Sequence, residues 1–230
     1  MFILPSTLAS GVRYPLGIRV DGAGARPVQR LELYDIEACP YCRKVREALT
    51  MLDLEVVIRP SPHGGTRFRP EAIARGGKRQ FPLLVDPDAG VELYESDDIL
   101  AHLYARYGQT EVPRTLRLGA LTTASSGLAS VLRAGAGRSA RPNRTPAQLL
   151  ELWSFESSPY SRRVREVLCE LEIPYVLHNL GRGSARRPAL LARAGKIQVP
   201  YLEDPNTRVK MFESRDIVRY LERTYGAPTS

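Results

Sequence analysis

The chain has 230 residues with 43% apolar and 25% charged content, the balance of folded globular protein, which excludes a disordered or fibrous chain. No apolar run approaches the roughly 20 residues that a membrane-spanning helix needs. The net charge of +8 is almost all arginine, since Lys44, Lys78, Lys196 and Lys210 are the only lysines. These arginines are scattered, which reads most simply as a solvated surface and alternatively as one that attracts small anions; without companion stacking aromatics no nucleic-acid site is expected.

In chain order, residues 1–30 read as a leader that can hold a helix, and MFILPSTLASGVRYP, broken by Pro5 and Arg13, makes a poor secretory signal. Residues 31–108 form a first folded unit. LELYDI (31–36) suits a buried strand, and Pro40 opens a helix whose Val45, Ala48, Leu49 and Leu52 make one apolar stripe. EVVIR (55–59) predicts a second strand, Pro70–Arg75 a short helix, PLLVDPDAGVELY a hairpin, and SDDILAHLYARYG a helix that stops at Gly108. Residues 109–148 combine an apolar stretch, Leu116–Leu132, that predicts a helix with a Gly/Arg/Pro-rich linker, Gly135–Pro146.

Residues 149–230 repeat the first unit. YDIEACPYCRKVREAL (34–49) returns as WSFESSPYSRRVREVL (153–168), with Val164, Val167, Leu168 and Leu171 on the helical stripe. PYVLH (174–178), Pro188–Ala194 and SRDIVRYLERTYG then follow in the same order. RGGKRQFPLLVDP (75–87) pairs with RAGKIQVPYLEDP (193–205), the later loop being one residue shorter. Copies of about 110 residues are long enough for independent cores. The thiols of Cys39 and Cys42 are hydroxyls, Ser158 and Ser161, in the second copy.

The first turn carries the chemistry. Disulfide exchange needs a thiolate, and a cysteine capping a helix faces unpaired N–H groups and the positive end of the dipole. Cys39 sits there as the expected exposed nucleophile, and Cys42, one turn in, as the buried resolving thiol. Arg43 and Lys44 add positive charge, while Glu37 opposes it. Zinc would need two more ligands, and Cys169, His63, His102 and His178 lack the spacing, so no metal is expected. Cys169 reads as an inert helix residue. Three cysteines with one C-x-x-C point to a reducing compartment, the cytoplasm or, if a transit peptide has been removed, the plastid stroma.

Two further pairs recur in both copies. Phe81-Pro82 and Val199-Pro200 open the hairpins, where a cis proline leaves the preceding N–H and C=O free for an extended peptide. Glu95-Ser96 and Glu213-Ser214 sit where strand gives way to helix. There a helix N-terminus can hold a carboxylate and the glutamate an ammonium, the two ends of an α-amino acid. A serine cap with an acidic first turn is the plainer reading of the same residues.

With C-P-Y-C, Q-x-P and E-S-x-D-I assembled, each copy resembles the N-terminal, glutathione-binding domain of glutathione S-transferases. The first is also similar to a dithiol glutaredoxin. The resemblance covers the chain outside leader and linker. It implies an α/β protein of two tandem thioredoxin folds, with Cys39 and Cys42 catalytic and glutathione as cosubstrate. Carried over, Tyr41 belongs to the glutathione site, Phe81 and Pro82 contact the cysteinyl part of glutathione, and Glu95 and Ser96 hold its γ-glutamyl end. Val199, Pro200, Glu213 and Ser214 fill the same places in the second copy. There Ser158 (or Ser157) donates to a glutathione thiolate or is the remnant of a lost redox centre. The function implied is glutathione-dependent exchange on glutathionylated or disulfide substrates. Alternatives are a non-catalytic tandem holding glutathione or an iron–sulfur cluster, and transferase or isomerase chemistry on a small hydrophobe. Transferases follow this domain with an all-helical one, whereas here a second copy follows. Two like domains in one chain suit a monomer, with no nucleic acid and no membrane span expected.

Overall fold

A computed structural model describes residues 16–117 and 135–227. The expected leader helix, and all but the start of the helix expected over Leu116–Leu132, lie outside the described residues. The first copy runs β1 (Leu31–Asp35), α1 (Pro40–Met51), β2 (Val56–Pro60), α2 (Phe68–Gly76), β3 (Leu83–Asp86), β4 (Val91–Leu93) and α3 (Ser96–Tyr107). A single turn, α4 (Arg114–Arg117), precedes the second copy. That copy runs β5 (Leu150–Ser154), α5 (Pro159–Glu170), β6 (Tyr175–Asn179), α6 (Arg187–Ala194), β7 (Tyr201–Asp204), β8 (Val209–Phe212) and α7 (Ser214–Tyr225). Strand and helix order match the reading in both copies. The first short helix starts two residues ahead of Pro70, because a proline is tolerated in the unpaired first turn.

In each copy two parallel strands are flanked by an antiparallel hairpin, with β1 paired to β2 and to β3. That is the thioredoxin fold, present twice. The copies do not stand apart, however. β2 pairs antiparallel with β6, Val56 opposite Leu177 and Ile58 opposite Tyr175, so all eight strands form one sheet ordered β4-β3-β1-β2-β6-β5-β7-β8. The reason lies in the strands: Val56, Ile58, Tyr175 and Leu177 are buried, and an open edge of such residues is an aggregation hazard. Each of these side chains gains about 1.5–3 kcal/mol by burial. Val45 and Leu49 of α1 share one apolar cluster with Val164 and Leu168 of α5. The largest core is therefore shared by both copies, while each keeps a smaller cluster of its own.

The segments preceding the copies are exchanged straps. Gly17 O accepts from Ser157 N of the second copy at 3.2 Å, Ile18 O accepts from Arg182 N at 2.8 Å, and the strap then returns to its own copy at Met51 O and Tyr107 O. The second strap mirrors it: Gly137 O accepts from Ala38 N at 3.4 Å, Arg138 O from His63 N at 2.8 Å, and the chain returns to Glu170 O and Tyr225 O. Gly17 and Gly137 have φ of 65° and 75°, and a Cβ there would lie 3.0 Å from Glu156 Cβ and 2.9 Å from Glu37 Cβ. Only glycine lets the strap pass that close to the opposite turn. What composition marked as linker is thus packed structure.

Candidate active site

Cys39 is the N-cap of α1 in extended conformation, followed by Pro40 at the first helical position. Proline lacks an N–H, so the next free amides, of Tyr41 and Cys42, are left to face the Cys39 sulfur. Cys39 is partly exposed, whereas Cys42 is 0% exposed. The Cys39 thiol is pulled down to about 7 by a hydrogen bond from the Cys42 side chain, by the Cys42 and Tyr41 amides and by the Arg46 charge, against the opposing effect of burial. Burial, and the thiolate beside it, push Cys42 well above the usual thiol range. Its sulfur also accepts from Ile36 N at 3.4 Å. One thiol is thereby poised to attack and the other kept protonated until it is needed.

The electrostatics differ from the reading in source. Arg43 pairs with Glu47 at 3.1 Å, and Lys44 pairs with Asp97, so neither stands free beside the nucleophile. The cation that reaches Cys39 is Arg46, one helical turn deeper. Glu37, expected to work against the thiolate, is compensated by Arg165 at 3.1 Å and Arg46 at 3.3 Å. Arg46 in turn bonds Glu156 at 3.0 Å and pairs with Asp35, while Arg165 meets Glu156 at 2.9 Å. Each copy's arginine thus crosses to the other copy's glutamate beneath the two turns. Burial opposes ionisation of Glu156, yet Arg165 and Arg46 hold it at about 2. Asp35 is pushed up to about 6, chiefly by burial. This cluster was missed in the sequence. Its signal was there, because Glu37 and Arg46 recur as Glu156 and Arg165.

Around the nucleophile, Cys39, Cys42, Phe81, Phe68 and Tyr94 share one apolar cluster. The Phe81-Pro82 and Val199-Pro200 bonds are cis. The ladder with β1 starts at Leu83 opposite Tyr34, which leaves Phe81 outside it. Tyr41 is 48% exposed at the tip of the turn. Glu95 and Glu213 precede α3 and α7 with φ of 59° and 68°, an uncommon conformation for a side-chain-bearing residue that recurs in both copies. Gln80 Nε2 donates to Glu95 at 2.5 Å and Gln198 Nε2 to Glu213 at 2.6 Å, tying each helix start to its proline loop. Ser96 and Ser214 are buried at the first helical positions. A cavity of about 370 Å³ opens on Cys39, Pro40 and Tyr41, and its far wall is Gly135 and Arg138 of the strap with His63.

The second turn is closed. Ser158 is 3% exposed, and its oxygen caps α5 by accepting from Ser161 N at 3.2 Å. Ser157 Oγ donates to Leu16 O of the first strap, and Ser161 is 0% exposed. Val199 packs beside Trp153 and Tyr201 in a cluster of its own. Cys169 is buried and holds the strap, its sulfur donating to Gly137 O at 3.3 Å and lying 3.5 Å from Glu37 N. Thr50, at the matching position of the other copy, likewise accepts from Glu156 N at 3.3 Å but donates to Asn179 Oδ1 at 2.8 Å. Among the described residues no group of His, Cys, Asp and Glu is arranged to hold a metal ion, and no helix is long and apolar enough to cross a membrane.

A paired thioredoxin fold with a helix-capping dithiol beside a cis-proline loop defines the class, that of glutathione-related thioredoxin-fold proteins. The chain belongs to the family described as glutathione S-transferase, N-terminal domain, which it matches twice, over residues 33–111 and 152–229. Comparison with curated proteins and with solved structures finds no match.

Proposed function

We propose that the protein is a glutathione-dependent thiol–disulfide oxidoreductase working through Cys39 and Cys42. The observation that carries this reading is the contrast between the two sulfurs, one partly exposed and pulled down to about 7, the other sealed and pushed up. The Cys39 thiolate attacks the glutathionyl sulfur of a mixed disulfide. That S–S bond breaks, the substrate thiolate leaves and takes a proton, and a Cys39–glutathione disulfide forms. A second glutathione thiolate then attacks the glutathionyl sulfur, releasing oxidised glutathione and restoring the Cys39 thiolate. The sum is one mixed disulfide and one glutathione converted to the substrate thiol and oxidised glutathione. Alternatively Cys42 attacks Cys39 once its proton is lost, freeing glutathione and closing an intramolecular disulfide.

In this reading Phe81, outside the ladder, meets the cysteinyl backbone of glutathione, and the α3 N-terminus at Glu95-Ser96 receives the γ-glutamyl end. The second copy serves the first. Its own turn is covered by the strap from Leu16, while its preceding strap walls the Cys39 cavity. A chain that pairs the β2 edge of one copy with the β6 edge of the other works as a monomer, and its dithiol suits a reducing compartment such as the cytoplasm. The test is turnover of a glutathione mixed disulfide in a reductase-coupled assay. Cys39→Ser abolishes it and Cys42→Ser keeps the monothiol route; wild-type rates in Cys39→Ser would overturn the assignment.

A further inference from the structure

The wall of the Cys39 cavity carries two basic side chains. Arg138 comes from the strap, and His63, bonded to it through the backbone, follows. Burial pushes the His63 imidazole down, and the charges of Arg69 and Arg138 add to that effect, so it lies within the field of both. The Arg69 guanidinium stands 4.8 Å above the Phe81 ring and is itself lowered by burial and by the Arg79 charge. Basic residues thus form an arc from the strap to the loop before Pro82: Arg138 and His63 line the cavity, Arg69 lies over the Phe81 ring, and Arg79 stands two residues ahead of that ring. Among the described residues Arg69, Arg79 and Arg138 form no ion pair, in a protein whose buried arginines are densely paired. Glu37, two residues before Cys39, is held by arginines, and Glu95 accepts from Gln80.

The second copy is an internal control. Its strap puts Ile18 where the first site has Arg138, since Ile18 O accepts from Arg182 N as Arg138 O accepts from His63 N. Its proline loop reads KIQVP against KRQFP, so Ile197 replaces Arg79. The inner pair stays basic in both copies, as His63 and Arg69 against Arg182 and Arg187. The outer arginines thus occur with the thiols, and isoleucines occur with the serines. A merely solvated arginine surface has no reason to follow the thiols.

We infer that this arc selects the disulfide presented to Cys39, favouring peptides with carboxylates beside the cysteine, and that Arg138 of the strap and Arg79 of the proline loop set the preference. The inference rests on the exchange chemistry proposed above and adds the class of its substrate. With glutathione lying along Phe81, the peptide half of the mixed disulfide leaves on the strap side of Cys39, where its flanking side chains come within the field of the arc, and arginines without an ion partner attract carboxylates over about a Debye length.

The test uses the full chain and two synthetic peptides of equal length, each with one cysteine as its glutathione mixed disulfide, flanked by Asp in one and Lys in the other. Wild-type protein turns over the acidic peptide with kcat/KM about tenfold higher at low ionic strength, as expected of several exposed charge pairs, and the ratio falls towards one as salt is raised. Arg138→Ile and Arg79→Ile together, copying the second half, bring the ratio near one through KM, while Arg138→Lys and Arg79→Lys keep most of it. A wild-type ratio near one, a ratio indifferent to salt, or a preference that survives the double isoleucine variant overturns the inference. If neither peptide is turned over, the exchange reading fails separately. Equilibrium binding of the same two peptides then decides the arc, with equal affinities counting against it.

Discussion

The ionisation of Cys39 is the most direct point of attack. At pH 7 a thiol pulled down to about 7 is about half ionised, whereas one at the reference value of 9.0 is about one-hundredth ionised. The gain in thiolate is about fifty-fold. A less basic thiolate is also a weaker nucleophile, by about tenfold over two units at a Brønsted slope near 0.5. The net expectation is alkylation about fivefold faster than an ordinary cysteine at pH 7, with a rate that levels off above about pH 8. Iodoacetamide labelling followed against pH, with the modified peptide mapped, measures this. Cys42 and Cys169 stay silent because burial pushes both thiols well up. The leading cause is the hydrogen bond from Cys42, so Cys42→Ala moves the inflection up by about a unit, and Cys42→Ser, which keeps a donor, moves it less. An inflection near 9 in the wild type, or one that ignores Cys42→Ala, refutes the reasoning.

Other expectations concern the seam and the silent copy. Arg165→Met leaves Glu37 and Glu156 buried with one arginine between them, so urea unfolding shows a loss of about 3–5 kcal/mol. Adding Glu37→Gln recovers part of it, and a single-variant loss below about 1 kcal/mol would contradict the cluster's role. His178 stacks on Trp153 at 4.3 Å and bonds Glu55 at 2.6 Å and Glu151 at 3.1 Å. Burial lowers its pKa, but the two carboxylates outweigh this and raise it. Its contribution to stability is full below about pH 6.5 and is lost as pH rises through the folded value. Thermal melts between pH 6 and 9 show that loss, and His178→Gln flattens it; parallel curves for both proteins would count against the tie. Finally, Ser158→Cys with Ser161→Cys restores the motif but not the exposure, because those positions are 3% and 0% exposed under the strap. The introduced thiols alkylate more slowly than Cys39, and equal reactivity would show that the strap does not cover the turn.

Much of the site was legible because its signals are local. A strand, a proline one residue past a cysteine and an apolar stripe place Cys39 at a helix cap whatever the rest of the chain does. Cys42 follows into the first turn. Phe81-Pro82 and Glu95-Ser96 were equally readable, since the same residues return at Val199-Pro200 and Glu213-Ser214. Charge was read less well. Arg43 and Lys44 are neighbours of the motif in sequence but spend their charge on Glu47 and Asp97, while the guanidinium that matters, Arg46, lies a turn below.

By itself the sequence determined that two thioredoxin folds are present and which of them carries thiols, because strand order, caps and stripes depend on neighbours a few residues away. Tertiary structure alone decided that the two share a sheet through β2 and β6, that Arg46 and Arg165 cross to the opposite copy's glutamate, and that each strap begins on the other copy's turn. Those contacts join residues far apart in the chain, from one copy to the other or to its strap. They are fixed by which buried edge and which buried charge finds its complement, a property of surfaces that exist only once each copy has folded.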